Sequence, residues 1–286
     1  MSLAEQRRFF AEDIRVLADL KSSRLVRALE EVPRERFLGP GPWLLRGPYD
    51  STSRHTDDAD PRHVYHDMSI AIDPARDLYN GQPSLLTRWI DALGIAEGSR
   101  VLHVGCGTGY FTALMGQVVG PAADVVAVEV DAGLAARAAA NLADMPWVAV
   151  RHGDGLTGLP HDRDAVLVNA GATHVPDPWL DAVAPNGRLL VPLTATLPGM
   201  PSTIGKGFVM IASRHGQAWH AKMTWMVAIY SAIGARDDAM NAELGKAMAG
   251  GKWGAVASLR RDAHDHEETC WLHRPGACLS IQPPAA

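Results

Sequence analysis

A buried-looking run, Val101-Leu-His-Val104, empties directly into three glycines at alternate positions, Gly105-Cys-Gly-Thr-Gly109. This junction constrains the fold more than any other stretch of the chain. An apolar run of strand length that ends in a glycine turn and continues as a helical pattern from Tyr110 is the opening of a β-α unit. Its glycines let backbone N–H groups approach a ligand where any side chain would block it. The spacing matters too. A dinucleotide fingerprint wants Gly-x-Gly-x-x-Gly, whereas here the third glycine comes one residue early.

The surrounding pattern extends the unit. Strand-like runs at Arg100–Val104, Asp124–Glu129, Trp147–Arg151, Asp164–Asn169 and Arg188–Leu193 alternate with helical patterns at Phe111–Val119, Ala132–Leu142 and Asp177–Ala184. Such alternation predicts parallel strands with helices on both faces, a doubly wound, Rossmann-like α/β sheet. Glu129 closes the second strand, 20 residues after Gly109, where a carboxylate can accept hydrogen bonds from both hydroxyls of a ribose. Asp154, within His152-Gly-Asp-Gly155, closes the third and can receive an adenine amino group. Together with the early third glycine, these placements point to S-adenosylmethionine (SAM). The plainer alternative is a glycine-rich turn with surface acids and no ligand. The candidate cofactor residues are His103, Gly105, Cys106, Gly107, Thr108, Gly109, Glu129, Val130, Gly153, Asp154, Gly155 and Asn169. Cys106 reads as a small residue filling the turn, and His103 as a packing residue near the strand end that can also reach the amino-acid end of the cofactor.

Three segments are expected. Residues 1–83 form a helical cap and lid loop, 84–196 the SAM-binding core, and 197–286 a hairpin, helix and tail. Ala4–Val32 reads as one or two amphipathic helices closed by Pro33, and Gly39–Ala75, rich in Pro, Asp, His and Arg, as an ordered loop or lid. Phe208–Arg214 and Trp219–Ile229 read as a hairpin about His215-Gly-Gln217. A helix follows over Asp238–Ala249, then a hairpin of Thr269–His273 and Cys278–Ile281 about Arg274-Pro-Gly276.

Composition narrows the function classes. A net charge of −5 and the absence of any Lys/Arg run argue against a nucleic-acid surface. No window reaches about 18 uncharged apolar residues, so no membrane span is expected. Three cysteines make no disulfide framework and the start has no signal-peptide stretch, so a cytoplasmic protein is expected. His264-x-His266-x3-Cys270-x2-His273-x4-Cys278 collects zinc-type ligands, but the spacing fits no familiar motif, a hairpin accounts for both cysteines, and no metal is expected. Gly199-x5-Gly205-Lys206 has one residue too many for a phosphate loop and Gly207 where Ser or Thr should stand.

At these residues the chain resembles the protein-L-isoaspartate O-methyltransferase family of SAM-dependent enzymes. The resemblance runs from about Leu25 to Asp237. It includes Leu29-Glu-Glu-Val-Pro-Arg-Glu-Arg-Phe37, Tyr49-Asp50, the glycine loop, Glu129 and Arg151-His-Gly-Asp-Gly155. Val168-Asn-Ala-Gly-Ala172 with Pro176, Gly187-Arg-Leu-Leu-Val-Pro192 and Ile233-Gly-Ala-Arg-Asp237 follow in family order. One segment departs. The family carries a Thr-x-Ser-x-Pro-like element before the first core helix, beside the methyl group and the substrate carboxylate, and this chain reads Leu78-Tyr-Asn-Gly-Gln-Pro-Ser84. Aligning on Gln82-Pro83 puts Gly81 at the family's Ser and Tyr79 at its Thr. Asn80 and Gln82 offer amide donors and acceptors there, so Tyr79, Asn80 and Gln82 are the candidate catalytic residues. The plainer reading makes Asn80-Gly81 a turn before a Gln82–Leu93 helix.

The resemblance implies an O-methyltransferase acting on a carboxylate of a peptide or protein, aspartyl or isoaspartyl. The alternatives are a small-molecule O- or N-methyltransferase and a non-catalytic SAM-binding protein. A carboxylate is ionised at neutral pH and needs no general base. A hydroxyl or amine acceptor would need one, for which His63, His66, His103, His174 or Tyr79 could serve. The acidic, His-bearing stretch Asp57–Asp67 reads either as a solvated loop or as a substrate lid.

Overall fold

The computed structural model describes residues 1–284 except Pro48, Tyr49, Ser51, Pro198, Met200 and Ser202; Tyr49 of the expected Tyr49-Asp50 element therefore lies outside the described residues. In chain order the elements are α1 (Leu3–Ala18), α2 (Ser23–Glu31), β1 (Leu44–Arg46), β2 (Arg54–His55), β3 (Ser69–Asp73), β4 (Leu78–Tyr79), α3 (Pro83–Leu93), β5 (Val101–Val104), α4 (Tyr110–Val119), β6 (Val125–Glu129), α5 (Ala132–Asn141), β7 (Val148–His152) and β8 (Arg163–Val168). They continue with α6 (Asp177–Ala182), β9 (Val183–Ala195), β10 (Ile204–His215), β11 (Ala218–Tyr230), α7 (Asp238–Ala249), β12 (Ser258–Arg260), β13 (Cys270–Leu272) and β14 (Cys278–Ser280). None of the described helices is long and apolar enough to cross a membrane.

The contacts divide the chain into two compact units. The first comprises Met1–Ser99 with Cys106–His152, the second Arg100–Gly105 with Gly153–Ala286. In the first, α1 starts on a capping box in which Ser2 and Glu5 satisfy each other's backbone N–H groups, and α2 on the hydroxyl of Ser22. The two helices pack on each other, α1 also on α3, and α2 on α4, through Phe10, Ile14, Leu25 and Leu29, all buried. Strands β6 and β7 pair in parallel, Val125 opposite Val148 through Glu129 opposite His152, with α5 against them. All of β6 is buried, as a strand covered on both faces requires.

Two expectations need correcting here. Gly39–Ala75 is not a loop throughout. Its β1, β2 and β3 join β4 in an antiparallel sheet of order β2-β1-β3-β4. Nor is Asp57–Asp67 solvated along its length, because Pro61–Val64 is a 3-10 turn and Val64 and Tyr65 are buried.

In the second unit β5 pairs in parallel with β8, and β8 with β9. Beyond them the order runs β9-β10-β11-β12-β14-β13, all antiparallel. The expected helix end at Ala184 belongs instead to β9, which starts at Val183. Val183-Ala184 is apolar enough for either state, and Val183 pairs with Arg163 of β8. Helix α6 packs on β8 and β9, and α7 on β9 and β13.

Candidate functional site

In the first unit the glycine loop is built by backbone geometry. Gly107 and Gly109 have φ of +58° and +95°, in the left-handed region. A Cβ on Gly109 would stand 2.9 Å from Leu142 Cδ1, so glycine is required there on two counts. Gly109 caps α4, its N–H donating to the Cys106 carbonyl at 3.0 Å and its carbonyl accepting from Ala113 at 2.9 Å. The buried Thr108 accepts from Asn141 Nδ2 at 2.9 Å through its carbonyl. Cys106 packs against Ala127, Ala138 and Val150, and burial followed by the nearby Glu129 carboxylate pushes its thiol far above the ordinary range. It is a space-filling residue held as the thiol by its surroundings.

Glu129, 6% exposed, ends β6 and turns its carboxylate onto this loop. Oε2 accepts from the Gly107 N–H at 2.7 Å and Oε1 from the Asp131 N–H at 3.1 Å. Burial raises its pKa, and the two backbone donors work against that rise. Val130 beside it is an exposed apolar surface, its carbonyl 3.1 Å from His152 Nε2.

The Tyr79–Ser84 segment lies in the same unit. Tyr79 is buried, its hydroxyl 2.6 Å from Ser53 Oγ and its ring 4.2 Å beneath the Arg46 guanidinium. Asn80 Oδ1 accepts from the Ile70 N–H at 3.0 Å, while Asn80 Nδ2 is a buried donor with no hydrogen-bond partner among the described residues. Gln82 precedes α3 and donates through Nε2 to Asp67 Oδ2 at 2.7 Å. Asp67 also accepts from the Ser84 N–H at 2.7 Å and the Ser84 hydroxyl at 2.6 Å, capping α3 from outside the helix. Gly81 has φ +82°, and a Cβ would sit 3.0 Å from Leu86 Cδ2. A serine at this position would therefore be strained.

The second unit carries the remaining candidates. Gly105, φ +78°, turns the chain out of β5 where a Cβ would lie 3.3 Å from the Asn169 carbonyl oxygen. Asn169 closes the same corner, its N–H donating to the Val104 carbonyl at 2.8 Å and Nδ2 to the Gly105 carbonyl at 3.4 Å. Asp154 is exposed and follows Gly153 in the turn beyond β7. Its Oδ1 accepts from the N–H groups of Leu156 at 2.9 Å and Thr157 at 3.1 Å, and from the Thr157 hydroxyl at 3.1 Å. These donors, the Leu156 amide foremost, hold its carboxyl below the usual range. Gly155, φ +70°, comes so close to Val104 that a Cβ would lie 2.5 Å from Cγ1, and its carbonyl accepts from Trp179 Nε1 at 2.6 Å.

His103 is fully buried, and desolvation depresses its pKa to about 3. The unfolded chain binds this proton near pH 6.5 and the folded chain does not, so the histidine's contribution is intact above pH 6.5 and lost as pH falls toward 3. Between pH 6.5 and 5 the unfolding free energy is expected to drop by about 2 kcal/mol from this group. Urea titrations of wild type and His103→Gln across that window check it; equal slopes in the two proteins would refute the assignment.

Arg34 is a residue that sequence reasoning noticed only as part of a family-like segment. Its guanidinium is completely buried and donates to the carbonyls of Val64 at 2.7 Å, His66 at 2.9 Å and Met68 at 2.7 Å. Burial lowers its pKa to about 10, which still leaves it charged at neutral pH. No spacing signal marks such an anchor; only its burial does.

Over residues 11–200 the chain matches the family described as protein-L-isoaspartate(D-aspartate) O-methyltransferase. The chain belongs to this family. A protein-L-isoaspartate O-methyltransferase of Gloeobacter violaceus is 32% identical over 178 residues, covering 61% of this chain and 76% of the relative. A solved protein-L-isoaspartate O-methyltransferase superposes with a TM-score of 0.65 at 23% identity, covering 91% of this chain and 73% of that one. A Plasmodium falciparum structure assigned to the same enzyme, in complex with S-adenosyl-L-homocysteine, gives 0.57 at 17% identity, covering 79% of this chain and 97% of that one. Both structures share the Rossmann-like α/β fold of SAM-dependent methyltransferases.

Proposed function

We propose that this family member is a SAM-dependent carboxyl O-methyltransferase whose acceptor is an aspartyl or isoaspartyl carboxylate of a peptide or protein. The observation that carries the reading is the buried Glu129 carboxylate, seated on the Gly107 amide of a loop whose Gly107 and Gly109 hold left-handed backbone angles. A carboxylate at the end of a buried strand, with lone pairs beyond the two donors it already holds, is an acceptor for a vicinal diol.

The proposed cofactor residues in the first unit are Cys106, Gly107, Thr108, Gly109, Glu129 and Val130. Those in the second are His103, Gly105, Gly153, Asp154, Gly155 and Asn169. The residues fit SAM: Glu129 keeps lone pairs for a diol beyond its two backbone donors, and Asp154 uses Oδ1 for all three hydrogen bonds of its turn, leaving Oδ2 for an adenine amine. When bound, SAM supplies a methyl group on a sulfonium, open to attack from the side opposite the sulfur. The protein's work is then alignment and exclusion of water. Tyr79, Asn80 and Gln82 are the proposed acceptor-side residues. The buried, unpartnered Asn80 Nδ2 is a donor for an incoming carboxylate oxygen, and Ser53, Ile70 and Asp67 hold the three side chains in place. No proton acceptor is required, because the nucleophile is already an anion. The free cysteines suit a reducing compartment, and the proposal places the enzyme in the cytoplasm.

Labelled SAM offered with two matched peptides, one isoaspartyl and one aspartyl, tests this. Label released as methanol by mild base from either peptide is the expected result, and which peptide reacts defines the acceptor. Base-stable label on a small molecule or amine, with neither peptide modified, would overturn it.

A further inference from the structure

Outside the region matched to the family, the second unit gathers His264, Cys270, His273 and Cys278, and one ligand atom from each lies within 4.8 Å of all the others. We propose that these four side chains form a structural zinc site that staples the C-terminal hairpin. The sequence spacing disguises it. Cys270-x2-His273 has the close spacing of a zinc knuckle, but the other two ligands come from opposite directions, His264 from the preceding loop and Cys278 from β14. The fold, rather than the order of residues, makes them converge.

The geometry is close to that of a bound site. Tetrahedral zinc with bonds of about 2.0–2.3 Å holds its ligand atoms about 3.3–3.8 Å apart. Cys270 Sγ and His264 Nε2 are already 3.6 Å apart, and no pair in the set needs to close by more than about 1.5 Å. The rings of His264 and His273 stand edge to face with centroids 5.0 Å apart. Both cysteines are free thiols, and Cys278 is fully buried.

Two further observations point to a cation. His273 Nδ1 is a buried ring nitrogen with no hydrogen-bond partner among the described residues, which costs free energy unless something occupies it. His264 is oriented as metal-binding histidines are. Its Nδ1 stands 3.0 Å from the Asp262 carbonyl oxygen, which only accepts, so Nδ1 carries the proton and Nε2 presents its lone pair to the cluster. Asp262 is held in turn by Arg260 through two hydrogen bonds, of 3.1 and 2.7 Å. Two thiolates and two neutral imidazoles around Zn²⁺ sum to zero charge, and binding releases the two thiol protons to solvent. Softness of the thiolates and four protein ligands with no open position favour zinc in a structural role. The role suits the position: β13 and β14 are three residues each, and β13, at the end of the strand order, pairs only with β14, which in turn pairs with β12.

The test uses the full chain, purified from zinc-supplemented cells without a histidine tag, with metal measured by mass spectrometry. About one zinc per chain is expected, falling below about a tenth in Cys278→Ser and His273→Ala and retained in His266→Ala, whose exposed ring lies outside the set. Cobalt replacing zinc should show tetrahedral ligand-field bands and thiolate-to-metal charge transfer. If the cysteine variant does not fold, the wild-type metal content and cobalt spectrum decide. Metal-free wild type whose reduced form takes up no cobalt, a Cys270–Cys278 disulfide in its peptides, or undiminished zinc in a folded Cys270→Ser/Cys278→Ser variant would each overturn the site.

Discussion

Arg34→Ala is expected to cost about 4 kcal/mol of unfolding free energy, measured by urea denaturation, because it removes a buried charged donor and strands its acceptors. The wild-type guanidinium satisfies three carbonyls, of Val64, His66 and Met68, and lies 5.8 Å from the ring centroids of both Phe10 and Tyr110. Alanine takes the side-chain donor from all three carbonyls, leaving that of His66 only the Met68 N–H at 2.8 Å, and opens a cavity beside Phe10 and Tyr110. Arg34→Lys keeps the charge but not the planar fork, so it should recover only part of the loss. A change below about 1 kcal/mol in the alanine variant would mean that water replaces the guanidinium, and that the 64–68 segment is held by something else.

Glu129→Ala is expected to weaken binding of SAM or S-adenosylhomocysteine roughly 100-fold, read by calorimetric titration. Hydrogen bonds to a charged acceptor contribute about 1.5–3 kcal/mol each, and about 1.4 kcal/mol is a factor of ten. Two ribose hydroxyls would lose their acceptor, and the Gly107 and Asp131 amides would lose theirs as well. Glu129→Gln retains one oxygen and should fall between the two. Undiminished affinity in a folded alanine variant would remove Glu129 from the proposed cofactor site and with it the main support for the functional reading.

The β-α core could be read from the chain because its signals are local. Val101–Val104 is apolar but for His103 and Val125–Val128 throughout, as buried parallel strands require, and the glycines that follow β5 adopt backbone angles that other residues avoid. Glu129 was readable for the same reason, since its position at a strand end follows from the run before it. The small sheet within Gly39–Tyr79 was not, because strands of two to five residues show too little alternation to register among prolines and aspartates. Arg34 looked like any surface arginine in a Val-Pro-Arg-Glu-Arg stretch, since burial is a property of the packed fold. The convergence of His264, Cys270, His273 and Cys278 was hidden in the same way: a hairpin and its preceding loop bring together residues whose linear spacing matches no pattern. At Gly81, the departure from the family's serine was visible as a letter change, but the left-handed angle and the nearby Leu86 that make glycine the fitting residue were not.

Asp67 gives the acceptor-side segment a property that none of its own residues has. Helices are usually capped by a neighbour in sequence, so that the first turn can form as soon as the local chain is made. Here the cap arrives from 17 residues upstream, where the Asp67 carboxylate meets the Ser84 amide and hydroxyl and the Gln82 amide. The first turn of α3 therefore has no complete cap until the stretch anchored by Arg34 has taken up its shape. The order of the Tyr79–Ser84 segment is thus tied to that of the Arg34-bound stretch, and a change that loosens one is expected to loosen the other.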